Sequence, residues 1–347
     1  MDIEKTLNIL SSAFGLSSFE DSVIEKMEKM CKPLANKTYF DKAGNLIAYK
    51  KGTEGKNKVI IATHIDEIGL IVSGIEENGL LRFNTIGGVD IRILPGSEVV
   101  VLGEKHLNGV IGSIPPHFQN KGGILKPYEK SELYIDTGFD GKAIRKYVDI
   151  GTPVAFRPKF INLKNSKCSN KSFDNRSSCV ASLYVLDLLR KYNHKWDVYS
   201  IFTLQEEYTM LGGRTAGYNT IPDLAIAMDA TFGQQPGVSD DQGYDIDKVL
   251  TISRGPNLHI KATEELMDVA DEEKIPYEIE VSPRMSGTDA MALQTTGKGI
   301  PTVLISLPIR NMHTSLETIN INIIKTASKL VARFIASLDS NYENRFE

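Results

Sequence analysis

Seven side chains are typed and spaced so that together they could hold metal ions and move protons. The first two are His64 and Asp66, in Thr63-His64-Ile65-Asp66. They follow a short apolar run at residues 59–62, Val-Ile-Ile-Ala, which predicts a buried strand. Two positions apart on an extended backbone, they point the same way. An imidazole beside a carboxylate at a strand end suits a metal ligand and the group that orients it. An ordinary structural contact has the same spelling, so partners elsewhere must decide.

Five more residues supply them. Asp174 lies in Ser172-Phe173-Asp174-Asn175-Arg176, just before a predicted helix. Glu206 and Glu207 follow a predicted strand at 198–204. Asp229 ends the apolar run Ala225-Ile226-Ala227-Met228. His313 lies in Arg310-Asn311-Met312-His313, between a predicted strand and the last helix. Each has a plainer reading: a helix cap for Asp174, a solvated helix start for the glutamate pair, a turn for Asp229, a surface or core histidine for His313. Two histidines and several carboxylates, all at element ends and with no cysteine among them, match nitrogen and oxygen ligation of zinc or a similar divalent ion. Adjacent glutamates add a division of labour. One can bind metal while its neighbour acts as general base on the attacking water.

Those positions require an α/β scaffold, because such folds gather chemistry beyond the carboxyl ends of their strands. Helical spacing at Ile3, Leu7 and Leu10 and at Val23, Met27 and Met30 precedes the strand at 59–62. After residue 68 the texture changes to short β-like runs, with Asn78-Gly79 as a hairpin signal and a single helical candidate near 141–147. This predicts a β-rich, barrel-like insertion over 69–160 in a catalytic α/β/α sandwich made of 1–68 and 161–347. Helices are predicted at 178–191, 264–273 and 316–338, and strands at 279–281 and 302–306.

Composition narrows the function classes. Lys+Arg 40 against Asp+Glu 44 gives a net charge of −4, with no basic excess for nucleic acid. No apolar run is long enough to span a bilayer. Met1-Asp2-Ile3-Glu4-Lys5 lacks the apolar stretch of a signal peptide. Cys31, Cys168 and Cys179 are odd in number and widely spaced. They read as free thiols in a reducing, cytoplasmic setting. The acidic segment 237–248 reads as a solvated loop, with lining of the substrate entry as the alternative.

Thr63-His64-Ile65-Asp66-Glu67-Ile68-Gly69, Phe173-Asp174-Asn175-Arg176, Gln205-Glu206-Glu207 with Gly212-Gly213-Arg214, Met228-Asp229-Ala230-Thr231 and Met312-His313-Thr314 resemble, in that order, the metal motifs of the tetrahedral (TET) aminopeptidases. These are the glutamyl, leucyl and deblocking dinuclear metallopeptidases. Gly287-Thr288-Asp289-Ala290 and Gly109-Val110-Ile111-Gly112 with Pro115-Pro116-His117 are further landmarks. The resemblance covers nearly the whole chain. It departs from the family at Tyr208-Thr209-Met210-Leu211 and Ser177-Ser178, which bears on rate and substrate preference.

The resemblance implies two divalent metal ions per subunit: zinc first, cobalt or manganese as alternatives. His64 and Asp229 would hold one, Glu207 and His313 the other, and Asp174 would bridge them. Glu206 would be the general base, and Asp66 would orient His64. The substrates would be short peptides, trimmed from the N-terminus. The insertion would be an apical domain, and the assembly a dodecamer built from dimers. A glycoside hydrolase of endoglucanase type and a catalytically silent binding scaffold are the alternatives. The first has no use for two histidines at strand ends; the second would be expected to lack Glu206 or a ligand.

Overall fold

The structure, a computed structural model, describes residues 1–115, 118 and 127–339. Pro116 and His117, from one of the landmarks above, lie outside the described residues. Eight strands form one sheet, in the order Lys37–Phe40, Leu46–Lys50, Asp197–Thr203, Lys58–His64, Leu224–Phe232, Thr302–Ile309, Leu250–Arg254, Tyr277–Val281. The four central strands, from Asp197–Thr203 to Thr302–Ile309, are mutually parallel. Parallel neighbours need crossovers, and helices cover both faces.

The burial of Lys58–His64 explains its sequence. Val59 and Ile61 pack into one core with helices Phe173–Leu188 and Ile321–Ser337. Ile60 and Ala62 pack into a second core on the opposite face, with Ala216 and Leu293 from helices Leu211–Thr220 and Asp289–Gln294. A strand buried on both faces reads as a continuous apolar run rather than an alternation.

After this strand the chain enters a closed barrel. Its strands run, in order around the barrel, Gly69–Ile75, Leu81–Ile86, Leu133–Asp136, His106–Ser113, Glu98–Leu102, Pro153–Phe156. All pairings are antiparallel, and the barrel has its own core, including Leu70, Phe83, Val101, Ile111 and Ile135. Asn78-Gly79 makes the predicted turn: Gly79 has φ +93°, and the Asn78 side chain accepts from Leu80 N at 3.1 Å. Helix 141–147 is shorter than predicted, Gly141–Ile144. Among the described residues no helix is long and apolar enough to cross a membrane.

Three expectations near the site need correction. Residues 316–338 are not one helix. Glu317–Asn320 is a strand paired with Lys167–Asn170, and the helix is Ile321–Ser337, capped by the Asn320 side chain on Asn322 N. Asp229 does not end its strand, which continues to Phe232 alongside Thr302–Ile309. Lys58–His64 pairs with it only as far as Ala227, so one side of the extended strand is left open at Asp229. The helix predicted at 178–191 starts earlier, as Phe173–Leu188, with non-helical dihedrals at Asp174 and Asn175.

Candidate metal centre

The central strands and the loops that follow them bring all seven predicted residues together. His64, the last residue of its strand, is 2 % exposed. Its Nε2 lies 3.2 Å from Asp174 Oδ1, 3.6 Å from Asp229 Oδ1 and 3.8 Å from Glu206 Oε2. The second imidazole, His313, puts Nε2 at 3.3 Å from both Asp174 Oδ2 and Glu207 Oε1. Asp174 therefore presents one oxygen to each imidazole, and its carboxylate does not cap its helix. One ligand atom each from His64, Asp174 and Glu207 lies within 4.8 Å of the other two.

The second layer of contacts explains why the loops hold this shape. Asp66 Oδ1 accepts from Glu206 N at 3.0 Å; its Oδ2 accepts from Glu207 N at 3.2 Å and Ser17 Oγ at 2.5 Å. One carboxylate thus fixes the start of the short helix Glu206–Thr209, a favoured place for an anion. It also faces His64 Nδ1 at 3.4 Å, but that nitrogen has no hydrogen bond among the described residues. Asp66 positions the glutamate pair at least as much as the imidazole. On the other side, His313 Nδ1 donates to the Gly88 carbonyl oxygen at 3.2 Å. A Cβ on Gly88 would come within 2.7 Å of that nitrogen, so the approach needs glycine.

Sequence reasoning missed Glu317. It is buried, and its two oxygens accept from Asp174 N at 3.0 Å and His313 N at 2.9 Å. It joins the two loops that carry the shared carboxylate and the second imidazole. It was also hidden inside a segment read as helix. A second missed group is the buried Glu67, paired with Lys171 Nζ at 2.5 Å and Arg176 Nη2 at 3.3 Å and also bonded to Ser172 Oγ. The signal was there: a Lys and an Arg flank Asp174, and an unexplained acid follows Asp66. The acidic segment 237–248 does not line the cavity at the cluster; Asp240 and Asp241 are exposed.

Electrostatics describe a site with surplus negative charge. Burial pushes the Glu206 carboxyl well above the usual carboxylate range. The His64 ring opposes this, while Asp229, Asp289 and Glu207 reinforce it. Burial likewise raises Asp229 and Glu207. Asp174 goes the other way: burial would raise it, but His313 and His64 outweigh that and lower it. Burial alone would lower His313, yet Asp174 and Glu207 lift it to about 11. Burial and Asp174 push Glu317 to about 8.

Divalent cations fit this donor set. It contains only imidazole nitrogens and carboxylate oxygens, and Glu206 Oε1 is buried without a hydrogen-bond partner among the described residues. The spacing fits too. Ligand atoms held about 2.0–2.1 Å from a small tetrahedral ion stand about 3.3 Å apart, and the contacts of the two imidazoles with Asp174, Asp229 and Glu207 span 3.2 to 3.6 Å.

Comparison with known proteins identifies the family. Residues 44–330 match the M42 glutamyl aminopeptidase family. A lysyl aminopeptidase of Pyrococcus furiosus is 31% identical over 346 residues, covering 97% of this chain and 98% of the relative. The structure of a TET aminopeptidase from the marine sediment archaeon Thaumarchaeota archaeon SCGC AB-539-E09 superposes with a TM-score of 0.94 at 27% identity, covering 99% of each chain. The TET1 peptidase of Pyrococcus horikoshii, described as assembling into a tetrahedron or a large octahedral shell, superposes with a TM-score of 0.84 at 28% identity, covering 97% of this chain and 100% of that one. The chain belongs to the M42 glutamyl aminopeptidase family, that of the TET aminopeptidases, and is a peptidase of a metallopeptidase family.

Proposed function

We propose that this peptidase is a dinuclear metal-dependent aminopeptidase that removes N-terminal residues from short peptides. The observation that carries the reading is Asp174, whose two oxygens each face a different imidazole at 3.2 and 3.3 Å. In this reading His64 and Asp229 hold one ion, Glu207 and His313 hold the other, and Asp174 is shared. Zinc suits the nitrogen and oxygen donors; cobalt and manganese are the alternatives. Bound there, the cations supply Lewis acidity, polarising the scissile carbonyl, acidifying water and anchoring the free α-amino group.

The chain's own residues do the rest. Glu206 takes the proton of the attacking water and delivers it to the leaving amine. Its Oε1, free of hydrogen bonds to the described residues, is available for that proton. Asp66 holds Glu206 and Glu207 in different directions through their backbone N–H groups. The cavity at the cluster is about 250 Å³, a scale suited to one terminal residue rather than to a long chain. Residues 1–68 and 161–347 form the catalytic unit, and 69–160 an apical, dimerising one. The three buried free thiols suit a reducing, cytoplasmic compartment.

Hydrolysis of aminoacyl-p-nitroanilides, with and without chelator and with zinc, cobalt or manganese restored, tests the reading. Activity should vanish with chelator and return with metal. Glu206→Gln should keep its metal and lose roughly 10²–10⁴-fold in kcat. A fully active Glu206→Gln enzyme would remove the role given to that residue.

A further inference from the structure

The cavity does not stop at the metal-ligating cluster. It continues along the sheet past Asp229 to Thr231 and Glu280. Glu280 lies on Tyr277–Val281, the edge strand, and its side chain reaches inward over the neighbouring strands. Its Oε1 accepts from Thr231 Oγ1 at 2.7 Å, and its Oε2 from Thr251 Oγ1 at 2.9 Å and Ser253 Oγ at 3.0 Å. Side chains from two other strands therefore hold one carboxylate at the cavity wall.

All three partners are neutral hydroxyls, and no ion pair reaches Glu280 among the described residues. An ionised carboxylate offers about four acceptor positions, so this one can take a further donor. The strand sets the spacing between Thr231, which donates to Glu280, and Asp229 in the cluster. Thr231 and Asp229 are two positions apart on Leu224–Phe232 and share a face, a step of about 6.6 Å. That step matches the four-carbon stem of a lysine side chain. Phe232 and Leu304 also line the cavity, giving the stem apolar surface to lie on.

We propose that Glu280 determines specificity for the substrate's first side chain, and that the preferred substrates are peptides beginning with Lys or Arg. The inference rests on the aminopeptidase reading and adds the substrate class. An ammonium or guanidinium group completes the coordination of the Glu280 carboxylate with a charge-assisted hydrogen bond. An acidic first residue meets like charge. An aliphatic one fills the cavity and leaves the carboxylate without its cation.

The test compares kcat/KM of the metal-loaded protein on p-nitroanilides of Lys, Arg, norleucine, Leu and Glu. Norleucine has an unbranched apolar stem without the ammonium group, so the Lys-to-norleucine ratio isolates the charge. Lys and Arg should exceed norleucine by tenfold or more, with Glu the poorest. Glu280→Gln should lower the Lys-to-norleucine ratio at least tenfold. If the wild-type enzyme cleaves norleucine or Glu as well as Lys, or if Glu280→Gln keeps the ratio, the inference is overturned while the peptidase reading stands. Absence of cleavage of all five with every metal overturns the peptidase reading itself. Because Glu280 also links strands, a Glu280→Gln chain that does not fold leaves the wild-type ratio to decide.

Discussion

At the scale of single residues, Glu317 shows how much of the site depends on groups that touch no substrate. Both its oxygens accept backbone N–H groups, one from Asp174 and one from His313. Glu317→Gln replaces one acceptor with an NH₂ that faces an N–H donor whichever way the amide turns. The loops should then hold their ligands less well, with roughly a 10–100-fold loss in metal affinity. Metal titration should show that loss, and excess metal should restore much of the activity. Unchanged affinity would make Glu317 a bystander. The contrast with the ligands explains what the sequence disclosed. His64, Asp174, Glu206, Glu207, Asp229 and His313 sit beside elements with local signals, and their types announce their chemistry. Glu317 works through two backbone groups, one of them 143 residues away, and no local pattern encodes that.

At the scale of elements, the segment after His313 is the instructive case. Apolar spacing from 316 onward suits a helix, yet Glu317–Asn320 is extended because it pairs with Lys167–Asn170. Pairing with a distant strand overrode local periodicity. Asn320 then starts the helix: its side chain accepts from Asn322 N and donates to Asp247 Oδ1 at 2.8 Å. Asn320→Ala should cost about 1–2 kcal/mol in urea unfolding. A cost near zero would mean that the helix Ile321–Ser337 is held by its buried face alone. The strands at 59–62 and 302–306, by contrast, were legible because both faces are buried and the apolar runs are unbroken.

At the scale of the whole molecule, the sandwich and the barrel-like insertion were both readable as a change of texture, from helix-and-strand periodicity to short runs and turns. Assembly was not readable that way, since it depends on surfaces whose partners leave no period in the chain. The dodecamer implied by the resemblance to the TET aminopeptidases stays the expectation for this chain, as a closed homo-oligomer. Sedimentation should give a mass near twelve times 38.4 kDa. A monomer at micromolar concentration would exclude it.

The contact between Gly88 and His313 carries a consequence for modularity. Gly88 lies between barrel strand Leu81–Ile86 and the rest of the barrel, yet its carbonyl oxygen receives the Nδ1–H of an imidazole at the metal-ligating cluster. The barrel is therefore not a detachable accessory. A minimal peptidase made by joining residue 68 to residue 161 would lose the group that sets the orientation and tautomer of His313. A barrel grafted from a relative would have to deliver a glycine carbonyl to the same point before the hybrid could work. The two folded bodies must be inherited, and engineered, as a pair.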